Sequence, residues 1–247
     1  MIGGSQALAL LLLLPVALLT GGFGLSRSYL PWALASGLVG LIALATFYSA
    51  LATGTMGVVA PIAALSVVVP MAVGLSWGDT PSLLQVGGIV AAVAGVVLAS
   101  GPERGRSPDR AALRPLLLAV VAAAGFGAVT VFLAMGARSS VIMTLVAMRA
   151  ETVGLLLLVV LVARRRTGIG RADLGLLVVI GFGDAAANGA YSLATLSGEL
   201  STVSVLGSLY PAVTVVLARE IHGERLRRLQ TVGVTMALGG VVLIAAG

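Results

Sequence analysis

Arg149 and Glu151 in the stretch LVAMRAETVG, and Asp184 and Asn188 in GFGDAAANGAY, are polar side chains set inside long apolar runs. Asp184, Asn188 and Tyr191 fall at i, i+4 and i+7, which puts them on one face of a helix and suits a polar path for a solute. Arg149 and Glu151 stand two residues apart and point to different sides of theirs, so neither is the other's natural partner. In formal charge, Arg149 contributes +1 and the two acids −2, which leaves −1. One acid must then be protonated, drawn into a network, or free to hold a cation, and either could carry a proton in antiport. The structural alternative is an Arg149–Asp184 pair that locks two helices together.

Other chemistries find fewer residues. GFGD, residues 181–184, is similar to the GxGD signature of intramembrane aspartyl proteases, in which two carboxyls share a proton and activate water. The remaining aspartates, Asp79, Asp109 and Asp173, all fall in connectors or at helix ends, and with 33 glycines in the chain a short glycine motif arises easily by chance. The single histidine, His222, has no nucleophile elbow to serve and assembles no metal site. The chain has no cysteine, so disulfides and thiolate chemistry are excluded. No phosphate-binding loop is present, which argues against ATP-driven work. No enzyme activity, cofactor or metal is therefore expected.

The elements that carry these residues are membrane helices. Of 247 residues, 59% are hydrophobic and 10% charged, with a mean hydropathy of +1.12; soluble domains are about 45–50% apolar and about 25% charged. Runs such as LALLLLLPVALL lack the alternation of a β-barrel, and helices satisfy their own backbone groups in lipid. The class is all-α and polytopic. Apolar runs of about 20 residues predict nine spans, near 2–22, 30–52, 56–77, 82–101, 112–136, 140–163, 173–195, 200–219 and 228–246. The connectors are short, and the longest, GPERGRSPDRAALRP, divides the chain near its middle.

The net charge of +6 and pI near 11.0 would suggest nucleic acid in a soluble protein, but here the arginines mark the membrane edge. If connectors alternate sides, one side receives Arg104, Arg106, Arg110, Arg114, Arg164, Arg165, Arg166, Arg171, Arg219, Arg225, Arg227 and Arg228, and the other only Arg27 and Arg138. That bias places the long connector and the first residue in the cytoplasm and the last residue outside, for a multi-pass protein of the cell's inner (plasma) membrane. No basic residue precedes the first apolar run, so a signal peptide is not expected.

The chain repeats itself. YSALATGTMG from Tyr48 matches YSLATLSGEL from Tyr191, Pro70 matches Pro211, and LQVGGIVAAVAGVVL matches LQTVGVTMALGGVVL. The repeats are 1–103, with four helices, and 112–247, with five. Pro70 and Pro211 each remove a helical hydrogen bond and permit a bend. Gly87, Ala91 and Gly95, with Gly233 and Ala237, read as small-residue contact faces, and Glu199, Glu224 and Arg225 as turn residues. Tyr48 and Tyr191, as repeat mates, are candidates to flank a cavity from opposite halves or to pack.

On GSLYP, GER at 223–225 and LQTVGVTMALGGVVLIA, the chain resembles the EamA-type transporters of the drug/metabolite transporter superfamily. The resemblance implies two five-helix bundles of opposite orientation around a substrate cavity, with an arginine often found where Arg149 stands. Here ALALLLLLP fits the family's second helix, so the first helix is expected to be missing, through a start-site artefact, a nine-helix form or a homodimer that shares a helix. Asp79 replaces the family's first-half glutamate, and His222 stands at a position usually apolar. The function implied is a permease for small metabolites or drugs, an exporter working by alternating access, with protons as one coupling option. Arg149, Glu151, Asp184, Asn188, Tyr191 and Tyr48 would line its cavity. An intramembrane protease and a non-transporting membrane component are the alternatives.

Overall fold

The computed structural model describes residues 2–20, 27–53, 59, 62–63, 65–99, 113–162, 174–207 and 228–246. Among them the chain is helical, with nine α-helices: α1 (Ile2–Leu19), α2 (Leu30–Thr53), α3 (Val68–Ser76), α4 (Leu83–Ala99), α5 (Leu113–Ala137), α6 (Val141–Val162), α7 (Leu174–Ser197), α8 (Leu200–Gly207) and α9 (Arg228–Ala246). Four helical segments are long and apolar enough to cross a membrane: Arg27–Thr53, Arg114–Ala137, Val141–Val162 and Gly175–Ser197. Gly4–Leu19, Leu65–Ser76, Leu83–Gly95 and Thr231–Ile244 are shorter apolar helices. Of the span expected at 200–219, only 200–207 is described.

Side-chain size sorts by direction. The buried residues are dominated by alanine, including Ala9, Ala17, Ala33, Ala43, Ala50, Ala119, Ala122 and Ala237, while leucines and valines such as Leu18, Leu157, Val159, Leu161 and Val179 are exposed. A water-soluble bundle would place its large apolar side chains inside. Lipid removes that drive, so small residues line the helix contacts and large ones meet the acyl chains.

The helices pack as two compact units, residues 1–41 with 129–197, and 42–128 with 198–247. Each draws on both sequence repeats. In the first, α1 lies against α6 and α7, and Ala17, Tyr29, Ala33, Leu133, Met143, Leu145, Val146 and Met148 form the apolar cluster. The hairpin from α5 to α6 is tight: Ser139 and Ser140 both donate their N–H to the Gly136 carbonyl, and Ser140 Oγ accepts the Met143 N–H as an N-cap. Trp32 and Phe132 pair at 6.2 Å between ring centroids.

In the second unit α4 and α9 make the most extensive contact. A Cβ at Gly88 would stand 2.7 Å from the Gly240 carbonyl oxygen, and one at Gly95 2.6 Å from that of Gly233, so the two backbones touch. As the chain advances along α4 the contacts retreat along α9, which makes the pair antiparallel. By the sequence match, Gly88 corresponds to Gly233, Ala92 to Ala237 and Gly95 to Gly240. Gly88 therefore meets the mate of Gly95, and Gly95 meets the mate of Gly88. The small face is 88, 92 and 95 rather than the expected 87, 91 and 95, since Gly87 has no neighbour within 4 Å. Steps of four and three hold a face at 3.6 residues per turn, whereas two steps of four drift away from it.

Two exchanged caps close this unit. Asp79 Oδ2 accepts hydrogen bonds from the Ser201 N–H at 2.9 Å and the Ser201 hydroxyl at 2.8 Å, and so caps α8. Glu199 Oε1 accepts the Thr80 N–H at 3.0 Å. Between α3 and Asp79 the chain turns through Gly78 at φ 101°, a conformation that glycine adopts without strain. Ser82 and Gln85 then form a reciprocal capping box that starts α4. Pro70 lies in the first turn of α3, just after the 3-10 turn Leu65–Val67, where its missing N–H takes away a bond to the Ser66 carbonyl. Pro211, His222, Glu224 and Arg225 lie outside the described residues.

Gly95→Val forces a side chain into the α9 backbone, and overpacking of this kind costs about 1–3 kcal/mol or more. Gly95→Val is expected to lower the melting temperature in detergent while Gly87→Val leaves it nearly unchanged, which a thermal unfolding scan of the two variants checks.

Candidate functional site

Three helices of the first unit bring a polar cluster together. Arg149 is the ninth residue of the 22-residue α6, and Asp184 is close to the middle of α7. At about 1.5 Å per residue, both lie more than 10 Å from either helix end, which is the depth of a bilayer centre. Arg149 is buried, with 4% of its surface exposed. Its Nη2 stands 2.7 Å from Asp184 Oδ2 in an ion pair. Asn188, one turn further along α7, donates from Nδ2 to Asp184 Oδ1 at 3.0 Å and to the Asp184 carbonyl at 2.8 Å. The shared face expected of Asp184 and Asn188 is thus used by one amide to orient one carboxylate.

The third contributor is Gln6 on α1, which sequence reasoning missed. Arg149 Nη1 donates to Gln6 Oε1, and Gln6 Nε2 donates to Asp184 Oδ2 at 3.4 Å. Gln6 thereby bridges both members of the ion pair with the two ends of one amide. The signal was present, since Gln6 is the only amide in α1 and an amide inside an apolar helix needs partners. The first glycine of GFGD also acquires a packing role: a Cβ at Gly181 would stand 2.5 Å from the Ser5 carbonyl oxygen, whereas Gly183 has no neighbour within 4 Å. That close approach of α1 to α7 is what lets Gln6, the next residue, reach Asp184.

The cluster is asymmetric in access. The Asp184 side chain is 40% exposed, and the guanidinium behind it is not. A solute meeting this surface would meet a carboxylate whose orientation is held by Arg149, Gln6 and Asn188. Asp184 has a guanidinium as partner rather than the second carboxyl that protease chemistry needs. Asp79 is engaged in its cap to Ser201.

The other expected residues are placed differently. Tyr191 packs beside the apolar cluster around Met143 and Leu145. Tyr48 belongs to the second unit, is 51% exposed, and lies 5.9 Å from Phe47 between ring centroids. Glu151 is on α6 but outside the Arg149 cluster. Its Oε2 is buried without a hydrogen-bond partner, against Gly37 of α2. With Arg149 paired to Asp184, Glu151 is the acid left without an ion pair among the described residues of the first unit.

Apolar spanning helices, lipid-sized side chains on the outside and an ion pair at mid-span define a multi-pass α-helical membrane protein. The chain belongs to the EamA-like transporter family, whose model matches residues 113–246, more than half of its length. It is thereby a membrane transporter of the drug/metabolite transporter superfamily by family. A solved structure described only as "Crystal structure of protein" superposes with a TM-score of 0.65 over 98% of this chain and 95% of that one. Its sequence identity is 18%, so the likeness is one of fold. No curated protein sequence matches the chain.

Removing one member of a buried ion pair leaves an uncompensated charge and costs about 3–5 kcal/mol, toward the lower end here because Asp184 is partly exposed. Arg149→Met and Asp184→Leu are each expected to lower thermal stability in detergent. The double variant is expected to be more stable than the sum of the single losses, and a double-mutant cycle measures that coupling.

Proposed function

We propose that this protein is a secondary permease that carries small metabolites or drug-like solutes across the plasma membrane, exporting them by alternating access. The observation that carries the reading is the Arg149–Asp184 pair, bracketed by Gln6 and Asn188 at the middle of two spanning helices. A charge at this depth is costly, and such groups are retained where they face a solute path or a partner. Here the arginine has its partner, and the aspartate keeps an open side.

The exchange of repeat-related glycines between α4 and α9 supports the reading that 1–103 and 112–247 are inverted copies. Inverted repeats suit a carrier, because interconverting two similar halves exposes a midplane site to one side and then the other. Asp184 then offers a carboxylate to solutes that bring a donor or a positive charge, with Asn188 beside it. Tyr191, two turns along α7 from Asp184, extends the proposed path with aromatic surface, and Pro70 gives α3 a place to flex. A proton gradient is the proposed energy source.

Purified protein in liposomes loaded with a metabolite extract, with efflux followed by mass spectrometry, tests this. Wild-type protein is expected to release a defined subset of solutes. Asp184→Asn and Arg149→Ala are expected to abolish that release while still inserting, as judged by protein recovered in the vesicles. Unchanged flux in both variants would refute the role assigned to the pair, and peptide cleavage that disappears in Asp184→Asn would favour the protease instead.

A further inference from the structure

We infer that Glu151 is the proton-binding group that couples solute movement to a pH gradient, separately from the Arg149–Asp184 cluster; this rests on the permease reading above.

Glu151 is the eleventh of the 22 residues of α6, so about 15 Å of helix separates it from each end. An ionised carboxylate at such depth is costly unless it is paired. The charged residues described in the first unit are Arg27, Arg138, Arg149, Glu151 and Asp184. Arg27 is exposed at the first residue of its spanning segment, and Arg138 is exposed in the turn between α5 and α6. On α6 itself Arg149 is committed to Asp184 and Gln6. On α2, residues 30–41 contribute no ionisable side chain, on α1 there is none, and on α5 residues 129–137 contribute none. On α7, Asp184 is the charged group and is already paired, and Tyr191 packs beside the apolar cluster.

The surroundings are shaped to hold the carboxylic end. Oε2 is buried with no hydrogen-bond partner. It lies against Gly37, where a methyl group would collide with it and also stand 3.2 Å from the Met148 carbonyl oxygen. That carbonyl already accepts the Thr152 hydroxyl at 2.8 Å. Glycine thus leaves room for the carboxyl while offering it no counter-charge. A bound proton removes the charge and needs one oxygen, whereas a single carboxylate supplies only two of the six to eight oxygens that calcium takes. The division of labour follows: Asp184 stays tied to Arg149 through the cycle, and Glu151 gains a proton on one side of the membrane and loses it on the other.

Two measurements on the full-length protein test this. In lipid nanodiscs, the infrared carbonyl stretch of a protonated carboxylic acid is expected to appear and disappear with pH in wild type, and to be absent in Glu151→Gln. In liposomes carrying the metabolite extract, Glu151→Gln is expected to retain solute exchange at zero pH gradient and to lose gradient-driven accumulation entirely. Glu151→Asp, which keeps a titratable group one methylene shorter, is expected to retain gradient-driven accumulation with a displaced pH profile. Gradient-driven accumulation that persists in Glu151→Gln overturns the assignment, as does loss of exchange in that variant while Glu151→Asp behaves as wild type at every pH. Wild-type vesicles that move no solute would instead refute the permease reading, whatever the infrared band does.

Discussion

A guanidinium set among apolar helices has to be neutralised within the protein, because lipid supplies neither water nor a counter-ion. Arg149 meets that demand through Asp184 and Gln6, and the demand reaches into three helices at once. α6 carries the cation, α7 the anion and its orienting amide, and α1 the amide that touches both. Hydrophobic burial does little to hold helices to one another in a bilayer, since the acyl chains are as apolar as leucine. Directional polar contacts and close backbone approach take over that role. The Gly181 contact with the Ser5 carbonyl belongs to the same arrangement, since it brings α1 near enough for the amide to reach.

The second unit solves the same problem by close backbone approach. α4 and α9 approach until glycine faces backbone, and the contacts exchange between repeat-related residues about Ala92 and Ala237. Among its described residues the acids stand where the helices end. There the Asp79 carboxylate caps α8 and the Glu199 carboxylate holds Thr80, so each acid satisfies backbone donors that helix starts leave exposed. An acid at a helix end is inexpensive and structural, while an acid at mid-span has to be paired or has to do something. By that criterion Asp79 and Glu199 are architecture, and Asp184 and Glu151 are the residues on which a transport cycle can act.

Asp184 and Glu151 differ in what surrounds them. One is held by an ion pair and two amide donors, drawn from three helices, and keeps an open side. The other is turned toward a glycine with no donor at its buried oxygen. A solute path needs a fixed recognition element, and gradient coupling needs a group whose occupancy changes. The EamA-like family membership gives the transporter class, and these two acids are the groups proposed to serve it.

Composition and the length of apolar runs were enough to establish a polytopic helical membrane protein, and they marked Arg149, Asp184, Asn188 and Glu151 as polar residues inside apolar runs. These follow from one-dimensional facts: the length of apolar runs, and which residues share a helix face. Spacing ruled Glu151 out as the partner of Arg149 and left an Arg149–Asp184 pair as one of the readings; the packing of α7 against α6 makes that pair. Gln6 entered the cluster for the same reason, since its partners lie 143 and 178 residues away along the chain. Of the expected small faces, Gly95 meets Gly233 and Ala237 while Gly87 and Ala91 stand one residue off the contact, because helical phase fixes spacing but leaves rotation about the axis to the partner helix. Asp79 became a cap only where Ser201 reached it. Helical sequence determines which side chains travel together, and the rotation and approach of neighbouring helices determine what they meet.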